Sequence, residues 1–206
     1  MIPPHPPDAE LVVRIAAGDR GAFEALYERY ATRIMAFVHH LLADRTAAED
    51  ATQETFVNVW RSARRFRPDA PFEPWLFRIA RHEAYDAGRR RRPRAVGGPA
   101  QDAVEGPGRE ARRDADPADR SYPSYASFPE GGADGAALAE ALRAAVAGLS
   151  APLREAFVLV RMLGRAHDDA ARILGIPVGT VKSRLSAAEA HLRRRLAAHD
   201  PEADAP

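Results

Sequence analysis

A long interruption divides the chain and decides what it can fold into. From Ala95 to Gly135 proline, glycine, aspartate and serine are dense, as in GGPAQDAVEGPG and DADPADRSYPSYASFPEGG, and no hydrophobic period is sustained. Such a stretch cannot bury enough apolar surface to offset the entropy lost on ordering, so it predicts a flexible acidic linker. Helical periodicity flanks it on both sides. The 206 residues, 46% of them hydrophobic, suffice for two small cores. The expected layout is a first domain over residues 9–94, the linker over 95–137, a second domain over 138–198 and a frayed, acidic, proline-bounded tail over 199–206. With no internal repeat and no alternating strand pattern, the expected class is all-α: two small helical domains, the second a helix-turn-helix.

In the first part, Phe23, Leu26, Tyr27, Tyr30, Ile34, Phe37, Val38 and Leu41 recur at three- and four-residue steps and predict a long amphipathic helix. Upstream, Leu11, Val12 and Ile15 predict a short helix ending at Gly18, with Asp19 placed to cap the next. A third is expected from Thr46, where Thr-Ala-Ala-Glu49 reads as a capping box, through Phe56, Val57 and Trp60. A fourth starts near Pro71 to Pro74, because proline is tolerated in a first turn, and runs through Trp75, Leu76 and Ile79 into an arginine-rich end. Helical pattern resumes at Leu138, Leu142 and Val146, then at Leu153, Phe157, Val160, Met162 and Leu163.

Charge is segregated although the formal net charge is only +1. Residues 78–94 carry seven basic and two acidic groups, and residues 138–195 carry ten and five; the stretch between, 95–137, carries four and eight. Two basic blocks around an acidic spacer suit two contacts with one polyanion, although solvated helix faces would look the same. With no cysteine there is no disulfide, thiolate metal site or cysteine nucleophile, which fits an intracellular protein. No run approaches the ~20 apolar residues of a membrane span, and the start MIPPHPPDAE lacks the order of a secretion signal, so a cytoplasmic chain is expected. The seven histidines are scattered, with no metal-binding spacing, no phosphate-cradling glycine loop and no serine–histidine–carboxylate set. The expectation is therefore no catalytic residue, no metal, no cofactor and no small-molecule substrate.

The most informative stretch is DDAARILGIPVGTVKSRL, Asp168 to Leu185. A short helix with small Ala171 at the crossing, Gly175 in a tight turn, and Ile176 and Val181 returning to the core has helix-turn-helix spacing. The second helix would lie in a DNA major groove, with Thr180, Lys182, Ser183, Arg184 and Ser186 on or beside its outward face. An ordinary helical hairpin is the competing reading, but Gly-Ile-Pro, Gly-Thr-Val and then polar and basic side chains are hard to explain by packing.

GIPVGTVKSRL resembles the signature of the extracytoplasmic-function sigma factors of bacterial RNA polymerase, in the sigma-70 family. DRTAAEDATQETFVNVWR resembles that family's core-polymerase-binding helix, and FRPDAPFEPWLFRIARHEAYDAGRRRRP, Phe66 to Pro93, its promoter-melting segment. The resemblance covers Leu11 to Pro93 and about Leu138 to Leu196, three segments in the family's order. It implies a transcription initiation factor whose partners are core RNA polymerase and promoter DNA, with an anti-sigma protein a frequent further partner. It assigns polymerase docking to the acidic and amide face of Glu49, Asp50, Gln53, Glu54 and Asn58, with Ala51, Phe56, Val57 and Trp60 as apolar surface. An acidic face repels DNA and suits a basic protein partner. Capture of the minus-ten strand falls by resemblance to Arg78, Arg81, His82, Tyr85, Asp86, Arg89 and Arg90, where cations and rings offer phosphate contacts and stacking planes. Minus-thirty-five reading falls to Thr180, Lys182, Ser183, Arg184 and Ser186.

The chain departs from the family at several of these places. His82 stands where asparagine is common and Gly88 where a large aliphatic residue is. Ala166 replaces a serine cap, and Ala170 a buried aliphatic group, a change expected to loosen the helix crossing. Ala187 and Glu189 fill positions that are usually basic, which removes two phosphate contacts and flattens the salt dependence by about two units of logarithmic slope. Two other readings compete: a sigma-like adaptor that binds an anti-sigma protein without initiating transcription, which the altered helix-turn-helix motivates, and a stand-alone helix-turn-helix regulator carrying the same motif. The second would not need the acidic helix or the melting-like segment.

Overall fold

The computed structural model describes residues 6–91 and 132–197, with side chains from residue 139 in the second stretch. Every regular element among them is helical. The linker expected over 95–137 lies outside the described residues as far as 131, as does the tail over 199–206.

The first half is four helices. α1 (Asp8–Ala16) turns at Gly18, whose φ of +92° suits glycine, and Asp19 then caps α2 (Arg20–Leu42) by accepting from the Ala22 N–H at 3.1 Å. α3 (Arg45–Ser62) begins one residue before the expected Thr46, and its cap differs from the expected capping box. Asp44 accepts from the Ala47 N–H at 2.9 Å, while Glu49 pairs with Arg45. The aspartate wins because it stands at the extended residue before the helix, where its carboxylate oxygen can meet the free N–H groups. After a single 3-10 turn, α4 (Phe72–Arg91) carries Pro74 in its first turn and ends in arginines. The four enclose an aromatic core: Phe37 meets Phe77 edge-on at 5.2 Å between ring centroids, and Tyr30 meets Phe72 at 5.3 Å.

In the second half α5 (Gly132–Ala147) starts six residues before the apolar pattern at Leu138. Its leading residues, Gly-Ala-Asp-Gly-Ala-Ala, hold no large apolar side chain for periodicity to register, yet alanine favours helix. α6 (Ala151–Phe157) runs into one π turn at Val158–Met162, closed by Leu163 N–H to the Val158 carbonyl at 2.9 Å. α7 (His167–Leu174) ends on Gly175 at φ +68°, whose N–H bonds the Ala171 carbonyl at 2.8 Å. Pro177 then accepts from Thr180 and Val181 to start α8 (Val178–Ala197). The core is aliphatic, built on Leu159, Ile173, Leu174, Val181, Leu185 and Leu192, with buried Ala156, Ala170 and Ala188 where helices cross.

The two halves are in contact. α7 packs on α4, and α5 and α6 lie against α2. Charged groups cross this seam beside apolar contact, since the buried residues of both halves form one cluster.

Candidate nucleic-acid and partner interfaces

The outward face of α3 follows from its helical spacing. Glu49, Gln53, Val57 and Trp60 fall along one exposed stripe, with Asp50 and Glu54 beside it. Val57 and Trp60 are large apolar side chains left 39% and 37% exposed, and Tyr27 of α2 joins them at 42%. Phe23 meets Trp60 edge-on at 5.4 Å and Tyr27 meets Phe56 at 4.7 Å, so an aromatic ridge crosses from α2 to α3 beside the acidic stripe. Phe56 itself is buried and braces the ridge from beneath, and Ala51 is buried too. Asn58 turns away: its amide donates to the Glu83 carboxylate of α4 at 2.9 Å. Sequence reasoning missed Tyr27 as a surface residue, because its place in the apolar period of α2 disguised it as core.

The seven residues singled out in α4 do not form one patch. Arg78 and His82 face α3 and, with Trp75, Ile79 and Glu83, form one wall of an open cleft of about 650 Å³; Asn58, Arg61, Ser62 and Arg65 form the other. Three guanidinium groups around a tryptophan make a surface for phosphates and unstacked bases. Arg61 and Arg65 were missed, although the basic run in WRSARRFRP was a visible signal. Asp86 is a local organiser, bonded by Arg89 and 3.4 Å from His82. Arg90 lines a second groove with Arg91, opposite Asp50, Gln53 and Glu54, and Arg91 pairs with the capping Asp44 at 2.6 Å.

Arg81 and Tyr85 point the other way, to α6. Glu155, 1% exposed, accepts from the Arg81 guanidinium at 2.5 and 3.3 Å and from the Tyr85 hydroxyl at 2.5 Å. Burial and the adjacent Glu155 carboxylate raise the Tyr85 phenol above its ordinary pKa, so it remains a donor. Two further links cross the same seam. Arg165, 4% exposed, pairs with Glu73 and lies 4.7 Å over the Phe77 ring. Arg154 donates to the Leu41 carbonyl at 2.7 Å. Neither Glu155 nor Arg165 carried any signal in the sequence, since each is an ordinary charged residue in a helical run.

On α8, Val181 and Leu185 are buried, and Lys182, Ser183 and Ser186 are exposed on the opposite side with Thr180 and Arg184 at its margins. The connection 175–177 is short enough to hold α7 and α8 in helix-turn-helix order. Glu189 is engaged by Arg161 at 2.5 Å, so it is not directed at a DNA-facing cation. Among the described residues no cluster of histidine and carboxylate groups could hold a metal ion, and no helix is long and apolar enough to cross a membrane.

Comparison with known proteins agrees with this geometry half by half. The family described as sigma-70 region 2 matches residues 26–94, and sigma-70, region 4 matches residues 139–192. ECF RNA polymerase sigma factor SigM of Mycobacterium tuberculosis is 34% identical over 92% of this chain and 84% of its own length. RNA polymerase sigma-H factor of Pseudomonas aeruginosa is 31% identical over 86% and 88%. Among solved structures, CnrH in complex with the cytosolic domain of CnrY superposes with a TM-score of 0.65 at 26% identity, covering 96% of this chain and 99% of that one. Sigma factor RpoE in complex with the anti-sigma factor NepR from Bartonella quintana gives 0.58 at 26%, covering 84% and 96%. The chain belongs to the extracytoplasmic-function sigma factors of the sigma-70 family, the promoter-directing subunits of bacterial RNA polymerase.

Proposed function

We propose that this sigma factor divides promoter recognition among three surfaces and itself catalyses no reaction. The stripe of Glu49, Gln53, Val57 and Trp60, with Asp50, Glu54 and Tyr27, docks on core polymerase: acidic groups select a basic partner and the exposed rings supply desolvated anchor area. The cleft between α3 and α4 takes unstacked bases of the minus-ten strand, with Arg61, Arg65 and Arg78 on phosphates and Trp75 and His82 beside the bases. Lys182, Ser183 and Ser186, with Thr180 and Arg184, read the minus-thirty-five duplex in the major groove. The first surface belongs to a domain over 9–94 and the third to one over 138–198. The setting is the cytoplasm, and an anti-sigma protein is a natural partner, as RpoE has in NepR.

The observation that carries this reading is the separation of charge within the first half. Exposed Glu49, Val57 and Trp60 occupy the outer face of α3, Asp50 and Glu54 face Arg90 and Arg91 across a groove, and three arginines with a tryptophan line the cleft behind. Footprinting on promoter complexes formed with core polymerase tests the division. Arg78→Ala with His82→Ala should abolish permanganate reactivity of the melted strand while upstream protection persists. Lys182→Ala with Arg184→Ala should weaken upstream protection first and lower the salt slope by about two. Loss of both signals in both variants would contradict separate surfaces.

A further inference from the structure

The cleft between α3 and α4 is not uniformly basic. Its exposed rim carries Arg61, Arg65 and Arg78, but the buried residue among those that line it is an acid, Glu83, 8% exposed. One Glu83 oxygen accepts from the Asn58 amide of α3 at 2.9 Å, and among the described residues this carboxylate has no other hydrogen bond and no ion pair. A buried carboxylate without a cation opposes folding, because its lost hydration is not offset. Three arginines line the same cleft, and none of them neutralises it. A neutral pair could make the one hydrogen bond between the helices, so packing does not account for the charge.

Rim and floor suit different parts of one ligand. Guanidinium groups take phosphates and Trp75 offers a ring to stack on, whereas the carboxylate beneath repels phosphate and calls for a neutral hydrogen-bond donor. Asn58 keeps a second amide hydrogen, so the floor offers a donor beside the free Glu83 oxygen. Cytosine and adenine carry the complement on their pairing edges, an exocyclic amine next to a ring nitrogen that accepts. Thymine has carbonyl oxygens on both sides of its ring N–H, and guanine has a carbonyl where the amine would stand. Both would set oxygen against oxygen at Glu83.

We infer that Glu83, oriented by Asn58, is a specificity-determining residue of the cleft: it admits an unstacked cytosine or adenine by accepting from the exocyclic amine, and it rejects thymine and guanine. The inference rests on the reading of this cleft as the minus-ten surface, and it names the class of base that the surface selects.

The test uses the full chain bound to core polymerase and, as probe, single-stranded DNA with a randomised central window. Sequences retained by the complex, compared with those retained by core alone, give the base preference at each position. The parent should favour cytosine or adenine over thymine by about tenfold at one position. Glu83→Gln keeps the size of the side chain and an oxygen for Asn58, but turns the free acceptor into a donor. It should abolish the preference at that position, with thymine gaining, and leave the other positions as they were. Equal weakening at every position would make Glu83 a staple between helices and overturn the inference. So would an unchanged preference, or a preference for guanine or thymine that depends on Glu83. A second arm needs no variant: in the strand that the parent binds best, the selected base is replaced by its analogue without the amine, purine for adenine or pyrimidin-2-one for cytosine. Affinity should fall about tenfold, and no loss would overturn the inference even if Glu83→Gln failed to fold. Absence of enrichment over core alone at every position would instead contradict the promoter-directing reading, and the inference with it.

Discussion

The two halves reach the same helical architecture by different means. In the first, helix starts are pinned by Asp19 and Asp44, and the core is filled by interlocking rings of Tyr30, Phe37, Phe66, Phe72 and Phe77. In the second, α6 and α7 start at Ser150 and Ala166 with no side-chain cap, alanines fill the crossings, and a π turn interrupts the run after α6. Its charged side chains Glu155, Arg165 and Arg154 find partners on the first half. The second half therefore leans on the first for the partners of its charged side chains.

The largest test of this asymmetry is Phe77→Ala. It removes a fully buried ring and should cost about 3–5 kcal/mol in chemical denaturation. Because Arg165 lies over that ring, amide exchange should also accelerate in α7, whereas Val181→Ala should accelerate exchange chiefly in the second half. Unchanged α7 exchange in Phe77→Ala would break the claim that the second half leans on the first.

Acid is the next lever. Burial, and then the neighbouring His39, push His40 down to about 4, so the fold favours its neutral form. The backbone N–H of Ala22 and the Arg14 side chain lower Asp19; the N–H of Ala47 and Arg91 lower Asp44. A lowered folded pKa contributes stability that is present above the unfolded value and lost as pH falls through the folded one. Denaturation midpoints of the first half should therefore decline from about pH 6.5 towards 4 through His40, and further below about 3.8 through the two caps. His40→Asn should flatten the first part of that decline; an unaltered profile would contradict the assignment.

The smallest effect expected is a gain. Ala166 stands in the extended conformation of a cap without a side chain that can cap, so Ala166→Ser should add roughly 0.5–1 kcal/mol and raise the thermal midpoint by a few degrees. No gain would mean that the start of α7 is not a weak point of the second half.

The helices and the helix-turn-helix were legible in the sequence because each rests on short-range rules: Gly175 in a left-handed turn, Val181 and Leu185 four apart, Asp19 before an apolar period. The start of α3 was misplaced because Asp44 and Thr46 are both good caps, and only backbone geometry chooses between them. The basic character of α4 was legible, but Arg61 and Arg65 were not picked out, nor was the way its residues divide between two faces. Arg78 and Arg81 are three residues apart in one basic helix, yet one faces the cleft and the other faces Glu155. Which face a charge occupies depends on partners 70 or more positions away, as for Tyr85 and Glu155, and no local pattern carries that.

The most direct test of promoter direction is multi-round transcription by purified bacterial core polymerase on pooled genomic promoter fragments, with and without this chain, followed by mapping of RNA starts. Discrete new starts that share upstream minus-ten and minus-thirty-five motifs are the predicted result. Verified binding to active core with no new starts would contradict it, and would leave the chain a sigma-like adaptor.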